Sequence, residues 1–233
     1  MQYLFTLRRN YVVIPKLGVA YGRVPKSANS TIKRQLAKAA GIDDRFDGKF
    51  SKDEFWRDKA PDAFLMTAVE LRRAHPDIFV FSFVREPLAR LVSCYRSKIL
   101  RAPEVPLSFR REGLSKQTSF RDFALHAAGR PDWRCNVHYR AQAHILSHKG
   151  DLVPDFIGRF ETLAEDWRRL QDIVEDRTGN RLPDPPIKKA NPDRPLSKPG
   201  DGFEGDEALM ARLRARFADD YRLFYPESLE QAS

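Results

Sequence analysis

Two stretches of the chain gather side chains that bind anions. The first, residues 23–31, reads Arg-Val-Pro-Lys-Ser-Ala-Asn-Ser-Thr. Lys26 brings a full positive charge, and Ser27, Ser30 and Thr31 bring hydroxyl donors. The small residues, Ala28 among them, let backbone N–H groups approach a ligand closely. A helix starting here adds unpaired N–H groups and a partial positive charge. Taken alone, the segment reads equally as an anion site or as an ordinary helix cap, with Asn29 or Ser30 as N-cap and Lys26 in solvent. It is not a Walker A loop, because Lys26 stands at its start and no glycine lies inside it.

The second stretch, residues 83–98, reads Phe-Val-Arg-Glu-Pro-Leu-Ala-Arg-Leu-Val-Ser-Cys-Tyr-Arg-Ser-Lys. It follows the apolar run 78–84, and ligands of α/β sheets bind beyond the carboxyl ends of such strands. The Arg85 guanidinium can fork two hydrogen bonds to a phosphate. Ser93 lies two helical turns further on, where its hydroxyl can serve the same group. The plainer reading pairs Arg85 with a carboxylate and leaves Ser93 as a small packing residue.

These groups need a frame to hold them. A strand is expected over 19–24, ending at Pro25. A helix follows over 30–40, with Ile32, Leu36 and Ala40 on one face and Gly41 as its stop. Residues 43–62 read as a loop with short helical pieces. The continuous apolar run 78–84 fits a strand buried on both faces, as in a parallel sheet. Pro87 suits the first turn of the next helix, with Leu88, Leu91, Val92, Tyr95 and Ile99 facing inward. Residues 101–116 form a basic loop, 118–128 a helix, and 135–148 turn helical in their second half. A short strand over 155–160 precedes a helix that Thr162 and Glu165 open as a capping box and residues 178–180 close. A Pro-rich loop runs from Pro183 to about residue 205. The last helix covers roughly 206–220, with Leu209, Leu213 and Phe217 inward. Strands alternating with helices predict an α/β fold with parallel pairs.

The 233 residues suit a single domain over 1–233. Hydrophobic residues at 42% are enough for an ordinary core, and a net charge of +9 points to an anionic partner. Cys94 and Cys135 show no zinc spacing and read as reduced thiols. The N-terminus lacks the order of a signal peptide, and no run approaches the ~20 apolar residues of a membrane span. The expectation is a soluble, cytoplasmic protein without stable membrane insertion, the alternative being a chain trimmed of a membrane anchor.

Together, the two anion-binding stretches resemble the 5′-phosphosulfate and 3′-phosphate motifs of the carbohydrate sulfotransferases, the Golgi-type family acting on chondroitin, dermatan and related glycans. The first motif of that family reads Pro-Lys, small residues, then Ser or Thr. The second is matched by Arg85, Pro87, Arg90, Ser93, Tyr95 and Lys98. Residues 155–163 are similar to a third family block, and 218–224 to its C-terminal helix end. The resemblance spans most of the chain in order. Departures are Ala28 for a usual Gly, Asn29 for a usual Cys or Thr, and Ile32 where Trp is common. The compact chain without the family's usual membrane anchor suggests a soluble, bacterial-type member.

The resemblance implies a P-loop NTPase-like sulfotransferase fold, a central parallel sheet flanked by helices. It implies in-line transfer of a sulfuryl group from 3′-phosphoadenosine 5′-phosphosulfate to a hydroxyl, with a carbohydrate-type acceptor and no metal. Lys26, Ser27, Ala28, Asn29, Ser30 and Thr31 would bind the donor, with Lys26 at the departing phosphate oxygen. Arg85 and Ser93 would hold the 3′-phosphate, and Phe160 falls near the adenine-contacting region. His138 is the candidate base, since the family often carries His followed by an aromatic residue there. The other reading of His138 is substrate positioning or packing, and Glu70 is a second candidate base. His144 and His148, spaced i, i+4, read as surface histidines rather than metal ligands. Lys188, Lys189, Asn191 and Arg194, or Arg101, Arg110 and Arg111, either meet anionic ligands or are solvated. The rival readings are a P-loop kinase-like phosphotransferase, which lacks its glycine loop and magnesium carboxylate here, and a basic nucleic-acid-binding module.

Overall fold

The apolar run at 78–84 becomes the buried strand of a five-stranded sheet in a computed structural model that describes residues 9–41, 53–58, 60, 62–184 and 206–230. The chain divides into two compact units, Met1–Val84 with Leu146–Lys188, and Arg85–Ile145 with Lys189–Ser233.

The first unit contains β1 (Tyr11–Ile14), β2 (Val19–Gly22), α1 (Asn29–Ala39), α2 (Asp53–Asp58), β3 (Phe64–Met66), α3 (Ala68–Ala74) and β4 (Phe79–Val84). From the later part of the chain it adds the short pair β5 (Ser147–His148) and β6 (Asp151–Leu152), then β7 (Phe156–Arg159) and α8 (Leu163–Thr178). Helix α7 (Gln142–Leu146) leads into this later part. The sheet order is β3-β1-β2-β4-β7. β2 pairs parallel with β4, and β4 with β7, while β1 is antiparallel to both of its neighbours. The sequence reading missed β1 and β3. The turn Pro15–Leu17, closed by Gly18 at φ 67°, is too short for a parallel crossover, so β1 must return antiparallel to β2.

β4 is buried at every position because both faces of the sheet are covered. On one face Phe83 stacks on Trp167 of α8, with ring centroids 5.9 Å apart, and Phe81 stacks on Tyr21 at 5.3 Å. Ile32 and Leu36 of α1 join the same core. On the other face Val13, Ala20 and Val80 meet Leu71 of α3. Gly158 is required in β7, since a Cβ there would come within 2.4 Å of the Phe83 ring.

The second unit contains α4 (Pro87–Tyr95), α5 (Leu107–Arg110), α6 (Phe120–Ala128), α9 (Glu207–Arg216), α10 (Ala218–Phe224) and α11 (Glu227–Glu230). Leu91, Val92, Tyr95 and Ile99 are buried as the spacing predicts, whereas Leu88 is half-buried. α4 runs on into a π-helical turn over Arg96–Leu100, whose last carbonyls, Ile99 O and Leu100 O, accept from Lys116 Nζ at 2.8 and 2.9 Å. The helix expected over 206–220 breaks at Phe217 into α9 and α10. Cys94 and Cys135 are buried thiols. Among the described residues no helix is long and apolar enough to cross a membrane.

Thr162 and Glu165 do not form the expected capping box. The Thr162 hydroxyl donates to Asp166 Oδ2 at 2.6 Å, and Glu165 pairs with Arg169. The same pattern does form a capping box at Thr67 and Glu70, which open α3. Lys188, Lys189, Asn191 and Arg194 lie outside the described residues, as does most of 43–62.

Candidate functional site

In the first unit, β2 ends at Gly22 and the chain turns through residues 23–28 into α1. The Ser82 hydroxyl donates to Gly22 O at 2.7 Å and locks the ends of β2 and β4 in register. Lys26 and Ala28 both adopt the left-handed conformation, at φ 75° and 57°. That costs a non-glycine residue on the order of 1 kcal/mol each, and strain of this kind persists where the surroundings hold it and often marks a working site. Successive residues that alternate between right- and left-handed conformations can turn their N–H groups to one side, the arrangement of an anion-binding nest.

The N-cap of α1 is Ala28, not Asn29 or Ser30, and the N-cap side chain makes no capping hydrogen bond. Asn29 and Ser30 therefore do not hold the N-cap position that the plain-cap reading gives them, and Thr31 N and Ile32 N both donate to Ala28 O, at 2.8 and 3.0 Å. Ser27 is fully buried, Ser30 is exposed, and Lys26, Ala28, Asn29 and Thr31 are half-buried. Behind the loop, Arg23 pairs with Asp53, and Lys33 Nζ lies 3.9 Å from the same carboxylate. Burial, reinforced by the Arg23 charge, pulls the Lys33 amine down to about 8. At the neighbouring parallel strand, the Phe160 N–H donates to Val84 O at 2.7 Å and extends the β4–β7 ladder by one residue, which fixes Phe160 at the carboxyl edge of this sheet.

The second unit begins with Arg85. Its side chain is nearly buried, and its backbone is held from both sides by one carboxamide. Arg85 N–H donates to Gln142 Oε1 at 2.9 Å, and Gln142 Nε2 donates to Arg85 O at 2.7 Å. Asp220 of α10 in turn accepts the N–H groups of Gln142 and Ala143 at 2.9 and 2.7 Å. Burial pushes the Asp220 carboxyl above its ordinary range, against the pull of these donors and of Arg90. The next residue, Glu86, caps α4 by accepting from Leu88 N and Ala89 N at 3.1 and 2.6 Å, and it also accepts from the Tyr221 hydroxyl at 2.6 Å. Ser93 is half-buried on α4. The C-terminal residues 220–221 thus serve as braces for Arg85 and Glu86.

His138 sits half-buried in a turn whose backbone is clamped by guanidinium groups. Arg90, 1% exposed, donates to Arg140 O at 2.7 Å and to Val137 O at 3.0 Å, and Arg140 donates to Cys135 O at 2.7 Å. Tyr139 beside it is buried, and its hydroxyl bonds to Glu112. Glu70 is engaged elsewhere. Its carboxylate accepts from Thr67 N at 2.8 Å and pairs with Arg9, and the Thr67 hydrogen bond holds its pKa below the ordinary value. His148 lies in β5, beyond the end of α7, so His144 and His148 share no helical face. Among the described residues no group of three or more His, Cys, Asp or Glu is arranged around a metal position.

Sequence reasoning missed Gln142 and Asp220 because a lone amide or carboxylate carries no pattern. Arg90 was visible as a motif residue, but only its burial reveals that it holds the turn at 137–140.

Comparison with known proteins bears on this arrangement. The family model described as the sulfotransferase family matches residues 9–226. Human carbohydrate sulfotransferase 14 is 27% identical over 241 residues, covering 95% of this chain and 61% of that protein. Mouse carbohydrate sulfotransferase 14 is 27% identical over 195 residues, covering 76% of this chain and 50% of that protein. The zebrafish (Danio rerio) protein of the same name is 28% identical over 195 residues, covering 77% and 52%. The chain thus spans between half and about three-fifths of the length of these curated relatives. No solved structure matches it.

Proposed function

The chain belongs to the sulfotransferase family, and from that premise we propose that it transfers a sulfuryl group from 3′-phosphoadenosine 5′-phosphosulfate to a hydroxyl of a carbohydrate acceptor. The observation that carries the donor half is the start of α1, a helix with no side-chain cap reached through two left-handed residues. Such an N-terminus takes an anion through backbone donors. The carbohydrate acceptor follows the names of the relatives. In this reading one catalytic domain covers 1–233, its sheet is related to that of P-loop NTPases, and the protein works in the cytoplasm.

Lys26 and the N–H groups at the start of α1 stabilise the charge that grows on the departing 5′-phosphate oxygen, with Ser30 and Thr31 on the same phosphate. Ser27 is buried and contributes backbone. Arg85, with its main chain held by Gln142, presents its guanidinium to the 3′-phosphate together with Ser93. Phe160 offers a ring face to the adenine. The acceptor oxygen attacks sulfur in line, the sulfur–oxygen bond to the 5′-phosphate breaks, and the acceptor proton passes to His138.

Calorimetry with adenosine 3′,5′-bisphosphate tests the donor site. Wild type should bind, and Lys26→Ala and Arg85→Ala should each weaken binding at least tenfold. Absence of binding by folded wild type overturns the proposal. Tighter binding of ATP with Mg²⁺ than of the bisphosphate would favour a phosphotransferase instead.

A further inference from the structure

We propose that Asn136 is a positioning residue that makes His138 a base through its Nε2 atom. The inference rests on the reading of His138 as the group that takes the acceptor proton, and it names the residue that prepares it. Asn136 Oδ1 accepts the backbone N–H of His138 at 3.2 Å and lies 2.8 Å from His138 Nδ1. A backbone N–H can only donate, so the carboxamide atom facing it is the oxygen and not the NH₂ group. That oxygen has no hydrogen to give. Nδ1 must therefore carry the proton in the contact they share, and the lone pair of the neutral ring falls on Nε2.

The main chain of Asn136 is itself held in place. Asn136 O accepts from Tyr139 N at 3.1 Å and Arg140 N at 3.0 Å, which closes the turn around the histidine. Arg90 and Arg140 fix the carbonyls of residues 135, 137 and 140. The Phe109 ring packs 5.8 Å from the imidazole, centroid to centroid. With the main chain fixed on both sides, the remaining freedom of His138 is the rotation and tautomer of its ring. The Asn136 oxygen removes both, as the partner of a working imidazole must.

Proton flow follows from this tautomer. The acceptor hydroxyl oxygen forms its bond to sulfur and gives its proton to Nε2. The electron pair of the broken sulfur–oxygen bond leaves on the 5′-phosphate of adenosine 3′,5′-bisphosphate. The ring is then an imidazolium protonated on both nitrogens, and Asn136 Oδ1 goes on accepting from Nδ1–H, which stabilises the cation without taking its proton.

The test uses the full chain with ¹⁵N-labelled histidine, and Asn136→Ala, Asn136→Asp and His138→Ala beside wild type. Above the acidic limb of the rate profile, the His138 ring of wild type should show a protonated Nδ1 and an unprotonated Nε2. Asn136→Ala should mix the tautomers and lower kcat at least tenfold, with affinity for adenosine 3′,5′-bisphosphate unchanged. Asn136→Asp keeps an acceptor at Nδ1, so it should restore turnover to within a few-fold. Its carboxylate should also raise the apparent pKa of the acidic limb by about 1 unit, a shift that a packing role would not produce. A protonated Nε2 in wild type overturns the proposal. So does wild-type kcat with an unmoved acidic limb in Asn136→Ala, when His138→Ala is inactive. Wild-type turnover in His138→Ala sinks the base assignment itself and the inference with it, while leaving the donor site standing.

Discussion

Helices α1 and α4 each follow a strand of the parallel part of the sheet, and they begin in opposite ways. α4 has Pro87 in its first turn and the Glu86 carboxylate on two of its N–H groups. α1 has no side-chain cap, a left-handed alanine at its N-cap and a left-handed lysine two residues earlier. One turn into α1 sits Lys33, an amine 1% exposed that burial drives toward its neutral form. The same helix-terminus chemistry is thus met by the N-cap side chain at α4 and by no N-cap side chain at α1. In the proposed reading an anion near α4 is met by side chains, Arg85 and Ser93, because Glu86 already accepts from Leu88 N and Ala89 N. In the same proposed reading the backbone at the start of α1 is the binding surface.

Three substitutions break or sharpen this contrast. The largest effect is expected from Glu86→Ala, which orphans two backbone donors and the Tyr221 hydroxyl. It should lower the free energy of unfolding by about 2 kcal/mol in urea titration, and Glu86→Gln should lose less. If the loss is negligible, α4 does not depend on its cap and the contrast dissolves.

Lys33→Met should act in the opposite sense and by less, a gain of about 1 kcal/mol at pH 7. The folded-state pKa of Lys33, about 8, lies below the ordinary 10.5. Below pH 8 the amine is charged in both states and the folded protein bears its desolvation. Between about pH 8 and 10.5 the unfolded chain holds the proton that the folded chain has lost, so wild-type stability rises with pH relative to Lys33→Met. Parallel pH dependence of the two proteins would show that the amine is not strained by burial.

The smallest change is Ala28→Gly, which relieves a left-handed residue at φ 57°. Relief of strain exceeds the added chain entropy of glycine by about 0.5 kcal/mol, so thermal stability should rise slightly. A fall in stability would show that Ala28 is not strained.

How far the sequence reached can be seen at particular residues. The run 78–84 declared a strand buried on both faces, because so many adjacent apolar side chains need cover on either side. Ile32 and Leu36 declared the inner face of α1, and Pro87 the start of α4. β1 escaped, because four apolar residues after a pair of arginines carry no length or alternation to separate a strand from a loop. Thr67/Glu70 and Thr162/Glu165 offer the same local pattern. Only the first closes a capping box, because at the second Asp166 competes for the threonine hydroxyl and Arg159 N–H also donates to that carboxylate.

The sequence alone determined the two motifs proposed to bind anions, their order and the frame of strand, loop and helix around each, since these follow from residue type and local spacing. The tertiary structure alone decided that α1 starts on Ala28, that Asp220 and Gln142 brace Arg85, and that Asn136 Oδ1 meets His138 Nδ1. Those outcomes depend on which polar atoms meet once the chain is packed, over separations of up to 78 residues. A hydrogen bond of that reach leaves no periodic trace in the sequence, because it constrains two residues and nothing between them.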